Sequence, residues 1–359
     1  MKILQASYSP LGGAGRVAIN TTDLIRSRTD FTVETYFINP TNLRQNPHTH
    51  PTITATAIVD EYVVKRKNQN FMVSLYRSRG LKEIPGANYD VVHLHWWQDF
   101  DLGSIRRNNP SAATVITLHD DRAFTGACHS SGTCEHHLSG CDRCPIVREP
   151  FIKAVSKEFQ RTRQNLRQLG NVTFIAPGER VRRLAVESGL EEIGTVELIP
   201  NPLNQAFEST DVVSIPEPIP DSAEIRVGFL AQNLDDTNKR LNLAANLVDR
   251  LNDMGLEVKL QAVGSGKIRN FSKNIDYLGP LNQLEVAELS KGWRALLVSS
   301  KFENAPLVIA ELGMLGIPTV SHNENGIVDM LRLTGQTPLL QDWSLLREDE
   351  LGVISNLLT

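Results

Sequence analysis

The sequence lacks an apolar run long enough to cross a membrane and has no strong excess of charge of either sign. A membrane-spanning helix needs about 20 consecutive apolar residues, and no stretch of the chain approaches that length. The formal net charge of −4 gives no reason to expect a nucleic acid as partner. Residues 1–7 have the pattern of a short strand rather than of a secretory signal. We therefore expect a cytoplasmic protein that binds no nucleic acid.

Short-period repeats and low-complexity tracts are also missing, which argues against solenoid and coiled-coil architectures. The 41% of hydrophobic residues and 22% of charged residues are ordinary for a globular protein. A chain of 359 residues exceeds the usual size of one core, so two domains are the first expectation.

Cysteine is scarce, but its four occurrences all lie between positions 128 and 144. In a reducing compartment such clustering favours a metal site over disulfides, and the spacing of the last pair suits tetrahedral zinc. The first pair is spaced more widely than in a usual zinc knuckle, so disulfides and free thiols remain alternatives. A closed four-thiolate site would pin a loop rather than perform chemistry. The predicted structural zinc ligands are Cys128, Cys134, Cys141 and Cys144.

Aliphatic and β-branched runs alternate with helical patterns, which predicts βαβ units and parallel sheets. The first half has predicted strands at 2–6, 32–38, 52–57, 90–94, 113–118 and 172–176, and helices at 14–27, 61–76, 152–169 and 179–188. The second half has predicted strands at 225–230, 257–263, 275–278, 295–298 and 319–321, and helices at 241–254 and 308–315. A stretch rich in proline and acid without periodicity separates the two series. The predicted domains are 1–205 and 223–345, with a linker at 206–222 and a last helix within 346–359.

Two glutamates with seven residues between them, Glu303 and Glu311, are the most informative pair in the chain. Glu303 follows the predicted strand at 295–298, and Glu311 lies in the next predicted helix. Ligands of open α/β sheets bind at the carboxyl ends of the strands, where helix N-termini attract anions. One carboxylate can then face a sugar and the other a ribose. A helix N-terminal acid followed by a helix-surface acid is the simpler alternative.

A glycine-rich segment follows the first predicted strand and opens a helical pattern. Gly12 and Gly13 lack side chains, so a diphosphate can approach the backbone there. A plain tight turn would also explain these glycines.

Aromatic and polar side chains follow two other predicted strands. Trp96 and Trp97 end one strand and offer ring faces to an acceptor sugar, although one of them is equally well explained by packing. His119 ends another strand, where its imidazole can hydrogen-bond a sugar hydroxyl. Asp120, next to it, can orient that imidazole or receive the acceptor proton. A structural histidine is the alternative.

The order of these features resembles the retaining glycosyltransferases of the GT-B fold, and specifically glycosyltransferase family 4. The resemblance is carried by residues 299–329, 89–96 and 117–128, and the last two segments resemble a bacterial subgroup that includes colanic-acid-type enzymes. It implies two Rossmann-like, doubly wound α/β domains facing across a cleft. The last helix would either cross back to the first domain or cap the second.

The resemblance also implies a reaction. A sugar would pass from a nucleoside diphosphate sugar to an acceptor hydroxyl with retention at the anomeric carbon and without a required metal. The acceptor would be a carbohydrate or a lipid-linked saccharide, in cell-surface polysaccharide or glycoconjugate synthesis. A noncatalytic sugar-nucleotide-binding partner, or another GT-B enzyme such as an epimerase or phosphorylase, is the alternative.

Residue roles follow from the matching positions. Glu303 and His119 would lie near the transferred sugar, Glu311 would bind the ribose, and Lys239, with Arg240 second, would hold the diphosphate. Leu241 stands where the family usually has glycine, which weakens the match. The predicted donor-binding backbone comprises Asn304, Ala305, Pro306, Leu307 and Val308. A basic face of the helix at 152–169 either contacts anionic lipid at the inner membrane or is simply solvated; its members are Lys153, Lys157, Arg161, Arg163 and Arg167.

Overall fold

The computed structural model describes residues 1–38, 63–64, 81–97, 99–208, 224–266 and 272–359. These residues form two compact units, Met1–Pro202 and Leu203–Thr359. The predicted strand at 52–57, nearly all of the predicted helix at 61–76 and the predicted linker from 209 onward lie outside the described residues. No helix within the described ranges is both long enough and apolar enough to cross a membrane.

The first unit is built on a six-stranded parallel sheet of order β2-β1-β4-β6-β7-β8. Its elements are β1 (Lys2–Ser7), α1 (Gly12–Arg28), β2 (Thr32–Phe37), β3 (Lys82–Glu83), β4 (Val91–Leu94), β5 (Phe100–Asp101), α2 (Gly103–Asn108), β6 (Ala113–Thr117), α3 (Glu149–Arg167), β7 (Val172–Ala176), α4 (Glu179–Glu187) and β8 (Thr195–Leu198). The short strands β3 and β5 pair with each other, also in parallel. Buried aliphatic side chains of the central strands form the core, which is why these strands were readable as apolar runs.

The edge strand β8 was not predicted, because it is largely exposed and carries no continuous apolar run. The helix α3 also differs from expectation in its basic face. Arg163 is buried and its guanidinium donates to the carbonyl oxygens of Ser188 and Gly189 at 3.0 and 2.7 Å, at the end of α4. Arg161 pairs with Glu158 at 2.5 Å. Part of the predicted basic face is therefore used within the fold, and contact with anionic lipid remains only a prediction.

The second unit contains a five-stranded parallel sheet of order β11-β10-β9-β12-β13. Its elements are α5 (Gln205–Glu208), β9 (Ile225–Asn233), α6 (Leu241–Asp253), β10 (Val258–Ser265), β11 (Ile275–Gly279), α7 (Gln283–Ser290), β12 (Ala295–Val298), α8 (Leu307–Met314), β13 (Thr319–Ser321), α9 (Asn325–Leu333) and α10 (Glu348–Leu358). The two separate parallel sheets confirm the predicted α/β class.

Two boundaries differ from the predicted ones. Ala206 and Phe207 of α5 pack in a core of the second unit with Trp293, so the units divide after Pro202 rather than after residue 205. The last helix, α10, buries Leu351, Ile354 and Leu358 in the other core of the second unit. The regularly spaced apolar side chains of this helix therefore pack within the second unit.

Gly228 allows the central strand β9 to lie directly against Trp293. A Cβ at this position would overlap the indole ring, and the ring is buried with its N–H donating to Gln261 Oε1 at 2.7 Å. Because the indole is anchored, we expect Gly228→Ala to lower the free energy of unfolding by about 2 kcal/mol or more. Urea unfolding measures the difference.

The matched control is Gly352→Ala in α10 of the same unit, where an added Cβ meets no atom within 4 Å. Alanine favours a helix interior over glycine by about 1 kcal/mol, so this variant should be neutral or more stable. Equal stability of the two variants would contradict the packing described for β9.

Candidate functional site

Two of the predicted catalytic side chains meet in the second unit. Lys239, in the turn after β9, forms an ion pair with Glu303, in the turn after β12. The strands β9 and β12 are neighbours in the parallel sheet, so both turns lie at its carboxyl edge. The side chains of Lys239 and Glu303 are 27% and 14% exposed, which leaves the pair within reach of a ligand.

Asn238 holds these two turns together. Its side-chain amide donates to the carbonyl oxygen of Phe302 at 2.9 Å and accepts from the N–H of Phe302 at 3.0 Å. The N–H of Lys301 donates to the carbonyl oxygen of Asn238 at 2.8 Å. These bonds fix the backbone on both sides of the ion pair. Asn238 is not among the predicted site residues, because an asparagine in a turn has many roles and its partner lies far along the chain.

Arg240, the second predicted diphosphate ligand, braces the end of β12. Its backbone has the left-handed conformation with φ of 54°. Its Nε donates to the carbonyl oxygen of Ser299 at 2.6 Å and one Nη donates to that of Ser300 at 3.3 Å. Part of its hydrogen-bonding capacity is therefore used by the backbone, and Lys239 is the better placed of the two cations.

Glu311 is buried in the middle of α8, where its carboxylate contacts other polar groups. It is 3% exposed, and its Oε1 accepts from Gln283 Nε2 at 3.1 Å. Gln283 Oε1 in turn accepts from Asn204 Nδ2 at 2.7 Å. The carboxylate is thus held in one position by a chain of amides. Its role as a ribose ligand stays a prediction.

The predicted donor-binding backbone surrounds the start of α8. Residues 304–306 precede this helix, and Leu307 and Val308 open it, with no side chain capping its N-terminus. The helix α9 begins at Asn325. Gly326 lets α9 approach the carbonyl oxygens of Glu303 and Asn304 so closely that a Cβ would overlap them.

In the first unit, the predicted glycines lie at the start of α1. Gly12 begins the helix with φ of 79°, a conformation that favours glycine. Its N-cap residue, Leu11, makes no side-chain cap, which leaves the helix N–H groups to another acceptor. A Cβ at Gly13 would meet no atom within 4 Å, so space remains beside the backbone there.

His119 belongs to a buried chain of histidines. Its Nε2 is 3.0 Å from Nδ1 of His95, and Nε2 of His95 is 2.8 Å from Oε1 of Gln5. A carbonyl oxygen only accepts, so with this orientation of the Gln5 amide the His95 proton lies on Nε2. His119 Nε2 then donates to His95 Nδ1. These partners of His119 come from β1 and the end of β4, and they were not predicted.

Asp120 pairs with a histidine from the cysteine loop, which comprises residues 128–144. Its Oδ2 is 2.8 Å from Nδ1 of His129, whose ring stacks on Trp96 with centroids 5.2 Å apart. The neighbouring Trp97 is 4% exposed and packs in the core of the first unit. An acceptor platform needs an accessible ring face, so the predicted pair of tryptophans is narrowed to Trp96.

The four cysteines are free thiols. Within the described ranges, no group of three or more histidine, cysteine or acidic side chains is arranged to hold a metal. Burial raises the pKa of Cys141 to about 11, and also raises that of Cys128. The predicted zinc site finds no support in this geometry. The loop is instead anchored by Asp121, which accepts from Arg180 at 3.1 Å and from Ser131 at 2.7 Å.

No family model matches the sequence. The chain is similar to WcaC of Escherichia coli (strain K12), described as a candidate colanic acid biosynthesis glycosyl transferase, with 24% identity over 270 residues. The matched part covers 69% of this chain and 62% of WcaC, so the chain spans less than two thirds of that relative. This similarity confirms the predicted resemblance to colanic-acid-type proteins.

Three solved structures match nearly the whole chain. WaaG, a glycosyltransferase involved in lipopolysaccharide biosynthesis, matches with a TM-score of 0.53 and 12% identity over 99% of this chain and 90% of its own. WaaB, a lipopolysaccharide outer core galactosyltransferase, matches with a TM-score of 0.51 and 14% identity, over 100% of this chain and 90% of its own. An Escherichia coli structure described as trehalose-6-phosphate bound with UDP-2-fluoro glucose matches with a TM-score of 0.55 and 9% identity, over 100% of this chain and 91% of its own. The predicted GT-B fold is confirmed.

Burial keeps the strand-end histidines neutral. It lowers the pKa of His93 to about 4 and that of His119 to about 3, from 6.5. Burial and the two neighbouring imidazoles lower the pKa of His95 as well. In the unfolded chain these rings take up protons near pH 6.5. The unfolded state therefore binds more protons between about pH 6.5 and pH 4, and stability must fall as the pH drops through that window.

We expect each of these histidines to contribute up to about 1.4 kcal/mol per pH unit to this loss. Urea unfolding at a series of pH values from about 7 down to about 4 gives the slope of stability against pH. His93→Gln should reduce that slope by the contribution of one proton, up to about 1.4 kcal/mol per pH unit, because glutamine does not titrate. His136→Gln, at a partly exposed position of the cysteine loop, is the control. A slope unchanged by His93→Gln would contradict the assignment.

Proposed function

We propose that this protein is a retaining glycosyltransferase that moves a sugar from a nucleoside diphosphate sugar to an acceptor hydroxyl in the synthesis of cell-surface polysaccharide or glycoconjugate. The observation that carries this proposal is the Lys239–Glu303 ion pair at the carboxyl edge of the second sheet. The similarity to WcaC and the UDP-2-fluoro glucose bound in the matching Escherichia coli structure support it.

Lys239 supplies the electrostatic part of the reaction. Negative charge develops on the departing diphosphate, and an ammonium group placed beside it stabilises that charge. Without donor, the ammonium is paired with Glu303. When a donor binds, its phosphate oxygens replace Glu303 as the partner of the Lys239 ammonium. The Glu303 carboxylate then turns to the transferred sugar. A cation of the chain in this place makes a metal ion unnecessary for transfer.

The remaining predicted residues divide between donor and acceptor. Glu311 binds the ribose, and the backbone of residues 304–308 surrounds the diphosphate and the sugar. Gly12 and Gly13, at the N-terminus of α1, are the predicted diphosphate contacts of the first unit. His119, as a neutral imidazole, hydrogen-bonds a hydroxyl of the transferred sugar. Trp96 and Asp120 bind a carbohydrate or lipid-linked acceptor.

A noncatalytic sugar-nucleotide-binding partner is the second candidate. The observation that favours it is the engagement of Arg240 with backbone carbonyls, together with Leu241 in place of glycine at the start of α6. A silent binder would be stabilised by a nucleoside diphosphate sugar without turning it over. An epimerase or phosphorylase would instead convert the sugar nucleotide or accept a free sugar phosphate.

Thermal unfolding in the presence of UDP, GDP, ADP and dTDP and their sugars identifies the donor, because a ligand at 100 times its Kd stabilises by about 2.7 kcal/mol. The stabilising sugar nucleotide is then tested for hydrolysis and for transfer to saccharide acceptors. We expect Glu303→Gln to lower donor turnover by roughly 10²-fold or more while nucleotide stabilisation persists. Lys239→Gln should lower both donor turnover and nucleotide stabilisation, because it removes the cation that pairs with the diphosphate.

Lys301→Gln is the matched control, since it removes an exposed ammonium of the same turn. It should leave both nucleotide stabilisation and donor turnover at the parental level. Parental turnover in the Glu303 and Lys239 variants alike would overturn the proposal. Normal nucleotide stabilisation without any turnover of the parental protein would favour the silent binder.

A further inference from the structure

We propose that His129 and Trp96 form a subsite for a neutral saccharide, with Asp120 as the residue that orients the imidazole. The inference deepens the proposed function, because this saccharide would be the acceptor of the transfer. It assigns a role to the cysteine loop, which the donor site leaves unexplained.

The Asp120 carboxylate fixes the imidazole of His129 in one orientation. Its Oδ2 accepts from His129 Nδ1 at 2.8 Å, and its Oδ1 accepts from the N–H of Arg122 at 3.1 Å. Asp120 is buried, so its carboxylate has little freedom to turn. The proton on Nδ1 leaves Nε2 of a neutral ring as an acceptor. No residue in the described part of the chain hydrogen-bonds to His129 Nε2, and the side chain is 25% exposed.

Trp96 places an aromatic surface beside this acceptor. Its indole and the imidazole of His129 stack with an angle of 18° between their planes. Unlike Trp97, it is only partly buried. Saccharides bind to sites in which an aromatic ring meets their C–H face and a few fixed polar groups meet their hydroxyls. Trp96 and His129 supply one of each.

The location agrees with that of a ligand site. Trp96 follows β4, and Asp120 follows β6, which is the neighbouring parallel strand. Both residues therefore lie at the carboxyl edge of the first sheet, where ligands of this fold class bind. The adjacent His119 is the residue assigned to the transferred sugar. A saccharide held by His129 would thus lie beside the residue proposed to bind the transferred sugar.

The cysteine loop delivers His129 to this edge. The N–H of Asp121 donates to the carbonyl oxygen of His129 at 3.1 Å, which brings the loop back over the strand end. Asp121 is fully buried and accepts both the N–H and the hydroxyl of Ser131 at 2.7 Å. Arg180 of α4 donates to the same carboxylate with both Nη atoms. Loss of either partner of such a buried pair is costly, so the return of the loop is firmly set.

Saccharide titrations of the isotope-labelled full chain test the subsite directly. The probes are methyl α-D-glucopyranoside, methyl α-D-galactopyranoside and N-acetylglucosamine, and the signals are the His129 imidazole and the Trp96 indole N–H. We expect saturable shifts of both signals with at least one probe. His129→Phe keeps the stacked ring but loses Nε2, so it should weaken binding about tenfold through the lost hydrogen bond. His136→Phe, in the same loop, is the control.

Asp120→Asn serves as a second variant should His129→Phe fail to fold. It keeps the shape of the side chain but removes the charge that holds the imidazole proton on Nδ1, so binding should again weaken. In the transfer reaction, either variant should raise the KM for the acceptor. A purely structural His129–Asp120 pair would alter the thermal stability without changing saccharide binding.

The two proposals fail in different ways. Stabilisation by a nucleoside diphosphate without a shift at His129 or Trp96 for any probe would overturn the saccharide subsite and leave the proposed function intact. Saccharide shifts without stabilisation by any nucleotide would support the subsite and overturn the transferase. Binding unaltered in His129→Phe and Asp120→Asn would overturn the subsite even where saccharides bind.

Discussion

A buried polar side chain is costly without a hydrogen-bond partner, and several functional side chains at the carboxyl ends of both sheets have their partners on a neighbouring strand or its turn. In the first unit, Gln5 of β1 bonds to His95 after β4, which bonds to His119 after β6. In the second unit, Asn238 after β9 bonds to the turn after β12. The order of strands in each sheet therefore decides which functional side chains meet.

The two edges differ in charge. His93, His95 and His119 of the first unit are kept neutral by burial, so they can donate and accept hydrogen bonds without adding charge to a ligand. The second unit presents an ammonium and a carboxylate that neutralise each other until a ligand arrives. An anionic diphosphate fits the second arrangement, and a neutral hydroxyl fits the first. This division of charge agrees with the proposed separation of the donor diphosphate from the acceptor saccharide.

The strand ends that carry Glu303, Lys239 and His119 were predictable, because an apolar run followed by polar residues marks the carboxyl end of a buried strand. Their partners were not. Asn238 and Phe302 are 64 positions apart, and no local pattern connects them. Sequence spacing also could not decide between Trp96 and Trp97, since only the packed core shows which ring is buried. Cysteine spacing suggested zinc for the same local reason, whereas metal binding requires convergence in space.

The buried ion pair between Asp121 and Arg180 shows what the cysteine loop requires from the fold. Burying two charges contributes little net stability compared with apolar packing, whereas separating them is costly. Such a pair is therefore better understood as fixing one arrangement than as strengthening the unit. Here it joins α4 to the residue after Asp120, and the same carboxylate binds Ser131, two residues beyond His129. The hydrogen bonds between Asp121 and Ser131 close this stretch of chain into a loop, and His129 thereby returns to Asp120.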